Sequence, residues 1–267
     1  IIHEFLENKV STLFIQHHGE EMIQKKRRES NSGMGYYTCW EKGRPSGCIY
    51  CGKPANTREH VPSKTMLIEP FPENLPTIPA CLACNNGFSA DEEYFICYLE
   101  VLKNKVYLDY SISAHVKKIL SQKQSLQHLI ESQILSKEGY IFPNFDTNRF
   151  SRIITKLAIG HAGYEYDDLN FEGANGLWYD FLPNISDEKK AEFQSPKLMD
   201  VIPEISSRFS CNACIIQNIE SGEKFVLSDW IPVQNQRYSY NVILNESGGV
   251  SVKMIILDFL YCKVDFE

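Results

Sequence analysis

The chain has 267 residues, of which 43% are hydrophobic, 12% aromatic and 23% charged, a composition typical of soluble globular proteins. This composition excludes disorder as the main state of the chain. No stretch approaches the roughly 18 apolar residues that a membrane span needs, and the first ten residues carry acids where a secretory signal would be basic and then apolar. We therefore expect a cytoplasmic protein that makes no membrane contact.

The formal charge of −7 excludes a polycation that coats nucleic acid by counterion release alone. Most of the excess acid lies in residues 111–267, whose formal charge is −5, whereas residues 1–35 are neutral. Any contact with DNA must therefore be local, and the C-terminal part of the chain is the least suitable surface for it.

Residues 1–28 form the first predicted element, a helix. Apolar side chains recur there at roughly helical spacing, and the helix would end in the basic cluster of residues 25–28. These cations either contact DNA phosphates or are simply solvated at a helix end, where the helix dipole favours them. The Gly- and Ser-containing loop of residues 30–35 closes this N-terminal helical segment, 1–35.

Nine cysteines follow, and their spacing is informative. Four of them form the pairs Cys48-x2-Cys51 and Cys81-x2-Cys84, in which short turns can aim four thiolates at one tetrahedral zinc ion. Such a site is closed to water, so the zinc would be structural; the alternative is a set of buried thiols. A further Cys-x2-Cys at residues 211–214 has no partner pair, and buried core cysteines are the better interpretation there.

The segment between the two cysteine pairs has 29 residues, enough for a folded insert. Its prolines forbid a continuous helix, and two short extended segments joined by an irregular loop fit best. After Cys84, apolar residues recur every three or four positions up to Val106, which predicts a helix. Residues 36–110 are thus predicted to form a module of strand, loop, strand and helix.

Residues 111–267 are predicted to form an accessory α+β region of unknown role. The stretches 113–136 and 149–162 have helical patterns, and four strands are predicted at 208–218, 223–232, 237–245 and 250–264. Helices therefore come first and an antiparallel sheet last. The fold class of the whole chain is α+β.

The motifs of residues 48–104 resemble an HNH endonuclease of the zinc-containing kind. The resemblance rests on Cys-x2-Cys, then Glu59-His60-Val-Pro, then Asn74-Leu, then Cys-x2-Cys-Asn85, in that order. It implies a ββα-metal nuclease core, in which the first strand carries the acid-His pair and the last helix begins at the final Asn. This chain departs from the family pattern in having Glu59 where Asp is usual and in lacking a residue before the proline.

The chemistry expected of these residues suits phosphodiester hydrolysis. His60 has an ordinary pKa near 6.5 and can take a proton from water around neutrality. The carboxylate of Glu59 and the amide oxygen of Asn85 are hard ligands of the type that Mg²⁺ or Mn²⁺ prefers. The resemblance implies that Asn74 holds the loop that orients the histidine.

A third protein ligand for the catalytic cation is less well defined by the sequence. Many family members carry a further His about one turn into the helix, and Ser89 stands there in this chain. Asp91, near the same end of the helix, is the nearest candidate to replace it.

The function implied by the resemblance is metal-dependent hydrolysis of DNA, in the setting of restriction or phage defence. Residues 111–267 would then sense, position or bind a protein partner or a second copy. Two alternatives stay open: a non-catalytic zinc module that binds nucleic acid or protein, and an RNA-cleaving toxin on the same core. The acid-His pair beside an amide favours the nuclease over a mere binding module.

Overall fold

The computed structural model describes residues 13–16, 47–137, 140–165, 174–195, 197–199, 213–218, 221–222, 224–228, 230–244 and 249–266. Five α-helices lie in these ranges: α1 Leu82–Val106, α2 Ala114–Gln122, α3 Gln124–Gln133, α4 Thr147–Glu165 and α5 Asp187–Gln194. The strands are β1 Leu13–Gln16, β2 Thr57–His60, β3 Thr77–Ala80, β4 Ile134–Lys137, β5 Tyr140–Pro143, β6 Ala174–Phe181, β7 Lys197–Met199, β8 Ala213–Asn218, β9 Lys224–Ser228, β10 Ile231–Gln234, β11 Tyr238–Leu244, β12 Val250–Ile256 and β13 Leu260–Phe266. The α+β class predicted from the sequence is confirmed.

The segment between the cysteine pairs folds as an antiparallel hairpin, β2 with β3, followed at once by α1. Thr57 pairs with Ala80 and His60 with Thr77, and the connecting loop holds one short 3-10 turn, Lys64–Met66. The predicted order of strand, loop, strand and helix is therefore confirmed. The helix begins three residues before Asn85, because the Cys81 sulfur accepts the backbone N–H of Cys84 and caps the first turn.

Helix α1 lies at the centre of the molecule. Every residue from Tyr94 to Leu102 is buried, so this part of the helix is enclosed on all sides and is not amphipathic. It contacts β2, the short helices α2 and α3, and α4. A single apolar cluster joins α1 and α4 to the C-terminal strands, and it therefore spans the predicted boundary at residue 110.

The C-terminal strands form a five-stranded antiparallel sheet in the order β10-β11-β12-β13-β6. Side chains of β12 are buried on both faces of this sheet: Val252 and Met254 belong to the main core beneath α4, and Ile255 belongs to a smaller cluster with Phe193 of α5. A second sheet has the order β1-β8-β9-β7. Helix α4 thus lies between the β2–β3 hairpin and the main sheet and contacts both.

Four predicted elements differ from the structure. The stretch 223–232, predicted as one strand, holds β9 and the start of β10, which belong to different sheets. Residues 13–16, predicted to be helical, form a strand paired with β8, because a short apolar run is ambiguous and tertiary pairing decides it; the rest of the predicted helix lies outside the described residues. The stretch 113–136 is two helices and a strand, since the backbone leaves the helical region at Lys123 and Ile134 starts the β4–β5 pairing. The stretch 250–264 is two strands, with a turn at Leu257 and Asp258, both of which have positive φ.

Among the described helices, none combines the length and the apolar character required for crossing a bilayer.

Candidate functional site

Four sulfur atoms converge at the base of the β2–β3 hairpin. The ligand atoms of Cys48, Cys51, Cys81 and Cys84 all lie within 4.8 Å of one another, and the Sγ atoms of Cys51 and Cys81 are 3.7 Å apart. Tetrahedral zinc with Zn–S bonds of about 2.3 Å requires sulfur-to-sulfur distances of about 3.8 Å. The predicted grouping of the four cysteines is confirmed, and it has the geometry of a structural zinc site.

Local backbone geometry brings each pair of sulfurs together. In the first pair, the N–H groups of Cys51 and Gly52 both donate to the carbonyl of Cys48, and Gly52 has a φ of +70°, which favours glycine. In the second pair, Cys81 is the cap of α1 and Cys84 lies in its first turn. The two pairs therefore meet where the hairpin ends and the helix begins.

The electrostatics of the cluster favour a bound cation. Hydrogen bonding from the Cys84 backbone N–H lowers the pKa of Cys81 to about 7, so this sulfur is readily a thiolate. Burial and the neighbouring sulfurs raise the pKa of Cys84 instead. Four thiolates this close would repel one another, and a zinc ion at their centre would remove that repulsion and fix the hairpin against the helix.

The hairpin sends Glu59 and His60 to opposite sides, as expected for neighbours on a strand. Glu59 is buried and its carboxylate contacts α4, whereas His60 is half-buried. Within the described parts of the chain, no hydrogen bond engages the His60 imidazole. Burial, with a smaller contribution from the Lys64 charge, lowers its pKa below the ordinary 6.5, so the ring is neutral and able to accept a proton at pH 7.

Asn85 joins the first turn of α1 to β2. Its Nδ2 donates to Thr57 Oγ1 at 3.2 Å and to the Arg58 carbonyl at 3.4 Å. Because Thr57 Oγ1 itself donates to the Ala80 carbonyl, it must accept from Asn85, which fixes the orientation of the amide. The amide oxygen, Oδ1, takes no part in these bonds.

A lysine from α4 binds the carboxylate of Glu59. Lys156 Nζ lies 2.7 Å from Glu59 Oε1, and it also pairs with Glu92 of α1, whose second oxygen accepts from Ser63 Oγ at 3.0 Å. The side chains of Lys156, Glu59 and Glu92 are only 2%, 8% and 7% exposed. Burial raises the pKa of Glu59, and the ammonium of Lys156 opposes that rise.

Two carboxylates and one ammonium leave this buried cluster a formal charge of −1. Glu59 Oε1 is thus bound by Lys156 and the Asn85 amide by β2, which leaves one oxygen of each side chain outside these bonds.

The carboxylate of Asp91 is bound by arginines of α4. Its Oδ1 accepts from Arg149 Nε at 2.6 Å and its Oδ2 pairs with Arg152, so both carboxylate oxygens are bound by α4. Both oxygens of this candidate ligand are therefore occupied by arginines. Ser89 and Asn74 are exposed, and Asn74 lies on the loop just before β3.

Two functional candidates were missed by reading the sequence, Lys156 and Glu92. Neither belongs to a motif, and Lys156 is separated from Glu59 by 97 positions. The available signal in the sequence is that Arg149, Arg152 and Lys156 repeat at helical spacing in the predicted helix of residues 149–162. The basic cluster of residues 25–28 and Cys211 lie outside the described residues, and Cys214 lies in β8.

No protein-family model, curated protein or solved structure matches the chain.

Proposed function

We propose that this protein is a phosphodiester hydrolase of the HNH type that cleaves DNA. One observation carries the proposal. The β2–β3 hairpin and α1, joined by four sulfurs, bring an acid, a neutral imidazole and an oriented amide onto one small unit. That is the set of groups that hydrolysis of a phosphodiester needs.

His60 acts as the general base in this proposal. Its ring is neutral at pH 7 because burial and Lys64 disfavour the imidazolium. It lies at the end of β2, where the strand stops and the chain turns into the loop toward Lys64. A neutral imidazole that is half-exposed can receive the proton of an attacking water.

Glu59 and Asn85 hold the divalent cation in this proposal. Bound there, Mg²⁺ or Mn²⁺ supplies the positive charge that neutralises the phosphoryl oxygens and the leaving group. Glu59 contributes a carboxylate and Asn85 a neutral oxygen, and the zinc cluster keeps both in place through Cys84 and the hairpin. The zinc itself has no open position and takes no part in the chemistry.

The contact with DNA is local in this proposal, since the net charge of the chain is −7. One such site cuts one strand. Cleavage of both strands then requires a second copy, a second binding event or a partner chain, and residues 111–267 are the proposed surface for that role.

The test is a cleavage panel with the zinc-loaded chain. Supercoiled plasmid, linear duplex, single-stranded DNA and RNA are incubated with Mg²⁺ or Mn²⁺, for the wild type, His60→Ala, Asn85→Ala and the control His115→Ala, which changes an exposed histidine. We expect nicked plasmid with the wild type and the control. Loss of the base should slow cleavage by about 10²- to 10⁴-fold.

The pH profile gives a second readout. Because the pKa of His60 is lowered below 6.5, the imidazole is already neutral at pH 6.5. The rate should therefore rise with pH and reach its plateau below pH 6.5. A wild type that leaves every DNA substrate intact with both cations, or cleaves no faster than His60→Ala, contradicts the proposal. Cleavage of RNA alone would keep the site but replace the substrate.

A further inference from the structure

Helix α4 faces the zinc module along its whole length. The contacts recur at helical spacing: Arg152 with Asp91, Lys156 with Glu59, Gly160 beside Val61. A Cβ added at Gly160 would lie 3.3 Å from Val61, so the two elements are already in close contact there. Part of the module of residues 36–110 is therefore covered by α4, a helix of the predicted accessory region 111–267.

Lys156 is the one charged side chain of α4 that reaches the acid of the hairpin. An ammonium this deeply buried is stable only because two carboxylates and their hydrogen bonds compensate its desolvation. Glu92 is held in turn by Ser63, so the lysine has a fixed anchor on α1. Contacts among α4, α1 and β2 therefore fix the positions of Lys156 Nζ and of Glu59 Oε1.

Glu92 lies about two helical turns beyond Asn85 on α1. Lys156 is therefore anchored in the buried middle of α1, whereas Asn85 lies in the first turn of that helix. A carboxylate held through one oxygen presents the other in a fixed direction, and such outer partners of metal ligands govern metal affinity.

We propose that Lys156 is a positioning residue of the site: anchored on Glu92, it binds Oε1 of Glu59 and so orients the remaining oxygen, Oε2, as a cation ligand. This inference rests on the proposed function. It extends that function by making α4, outside the 36–110 module, a working part of the metal site.

The decisive variant is Lys156→Met combined with Glu92→Gln. It removes one positive and one negative charge, so the cluster keeps the formal charge of −1 that the wild type has. The formal charge is thus unchanged, while Glu59 loses the hydrogen bond and the ion pair from Lys156. The single variant Lys156→Met leaves two buried carboxylates unpaired and can fail to fold, whereas the double variant leaves only Glu59 unpaired. Circular dichroism and the amount of bound zinc check that the double variant folds.

The main readout is Mn²⁺ binding to the zinc-loaded chain, followed by electron paramagnetic resonance of free Mn²⁺. Loss of an outer partner should weaken binding by about 10- to 100-fold, with little loss of bound zinc. Glu93→Gln is the matched control, because Glu93 adjoins Glu92 on α1 but forms a more exposed pair with Lys123. This control should bind Mn²⁺ as the wild type does.

Cleavage gives a second readout. For the double variant, raising the Mn²⁺ concentration should restore most of the rate, because the base His60 is intact. Unchanged Mn²⁺ affinity in the double variant overturns the positioning role, and tighter binding would show that the lysine competes with the cation. A wild type that binds no Mn²⁺ beyond the zinc would instead overturn the proposed function, so the two failures are distinguishable.

Discussion

The zinc module and the C-terminal sheet are stabilised in different ways. Around the four sulfurs, the clusters of buried apolar residues are small: Cys48, Ala80 and Cys81 form one, and Ile49, Val61 and Ile78 form another. The sheet, by contrast, packs α4 and α1 over a large core that contains Val252, Met254 and Phe259. A short hairpin with small apolar clusters would gain stability from a bound ion, whereas a five-stranded sheet is held by apolar burial.

Removal of zinc should have the largest effect and should separate the two regions. Zinc sites of this kind contribute about 10 kcal/mol or more to folding. Chelation, or Cys84→Ala, should therefore expose the amides of residues 48–60 and 77–85 to hydrogen exchange while β12 and β13 stay protected. Cys97→Ala, which changes a buried thiol outside the cluster, should retain one zinc per chain. Equal loss of protection in both regions would break the comparison.

Phe150→Ala tests the other side of the comparison. The Phe150 ring is fully buried on α4 among aromatic rings that include Tyr94, Tyr98 and Phe145. Its removal should lower the free energy of unfolding by about 3–5 kcal/mol. The loss should persist after zinc is chelated, since no sulfur takes part. Urea titration followed by circular dichroism measures it, and a loss below about 1 kcal/mol would contradict this view of the core.

Acid should destabilise the core between α4 and the main sheet through His161 of α4. This imidazole is fully buried, donates to or accepts from Tyr238 at 2.9 Å, and burial lowers its pKa to about 3. Below pH 6.5, His161 binds a proton in the unfolded chain, whereas in the folded chain it stays neutral down to about pH 3. Stability from this group is therefore complete above pH 6.5 and falls by at most about 1.4 kcal/mol per unit toward pH 3.

The measurement for His161 is the free energy of unfolding between pH 4 and pH 8, for the wild type and His161→Gln. The glutamine can still reach Tyr238 but does not titrate, so the variant should have the shallower acid slope. Subtracting the two curves removes the loss of zinc in acid, which affects both proteins. Identical slopes would mean that His161 is already charged in the folded chain.

Gly163→Ala should have the smallest effect and acts where the two regions meet. A Cβ at Gly163 would overlap the Cδ1 of Ile49, next to the zinc ligand Cys48, so Ile49 must move. We expect a net cost of about 1–2 kcal/mol, because the overlap costs about 1–3 kcal/mol and alanine gains up to about 1 kcal/mol in helix propensity. Faster hydrogen exchange at residues 48–51, with β12 unaffected, would locate the effect. A variant more stable than the wild type would contradict the close approach.

The sequence predicted the zinc cluster and the hairpin because their causes are local. The cysteine spacing fixes two turns, and the prolines of the insert exclude a helix, so strand, loop, strand and helix follow without knowledge of the rest of the chain. The opposite burial of Glu59 and His60 follows from the alternation of a strand. The strand at residues 13–16 was predicted wrongly, since its pairing with β8 crosses about 200 positions.

What only the tertiary structure decided is the surroundings of the acid. Nothing near Glu59 in the sequence indicates that it meets Lys156, 97 positions away, or that Glu92 anchors the same ammonium. Nor does the sequence show that Asp91 is bound by two arginines of α4, which leaves neither of its oxygens unpaired. Turns and periodicities are short-range properties of the chain, whereas the pairing of buried charges depends on which helix packs beside them, and that is set by the fold as a whole.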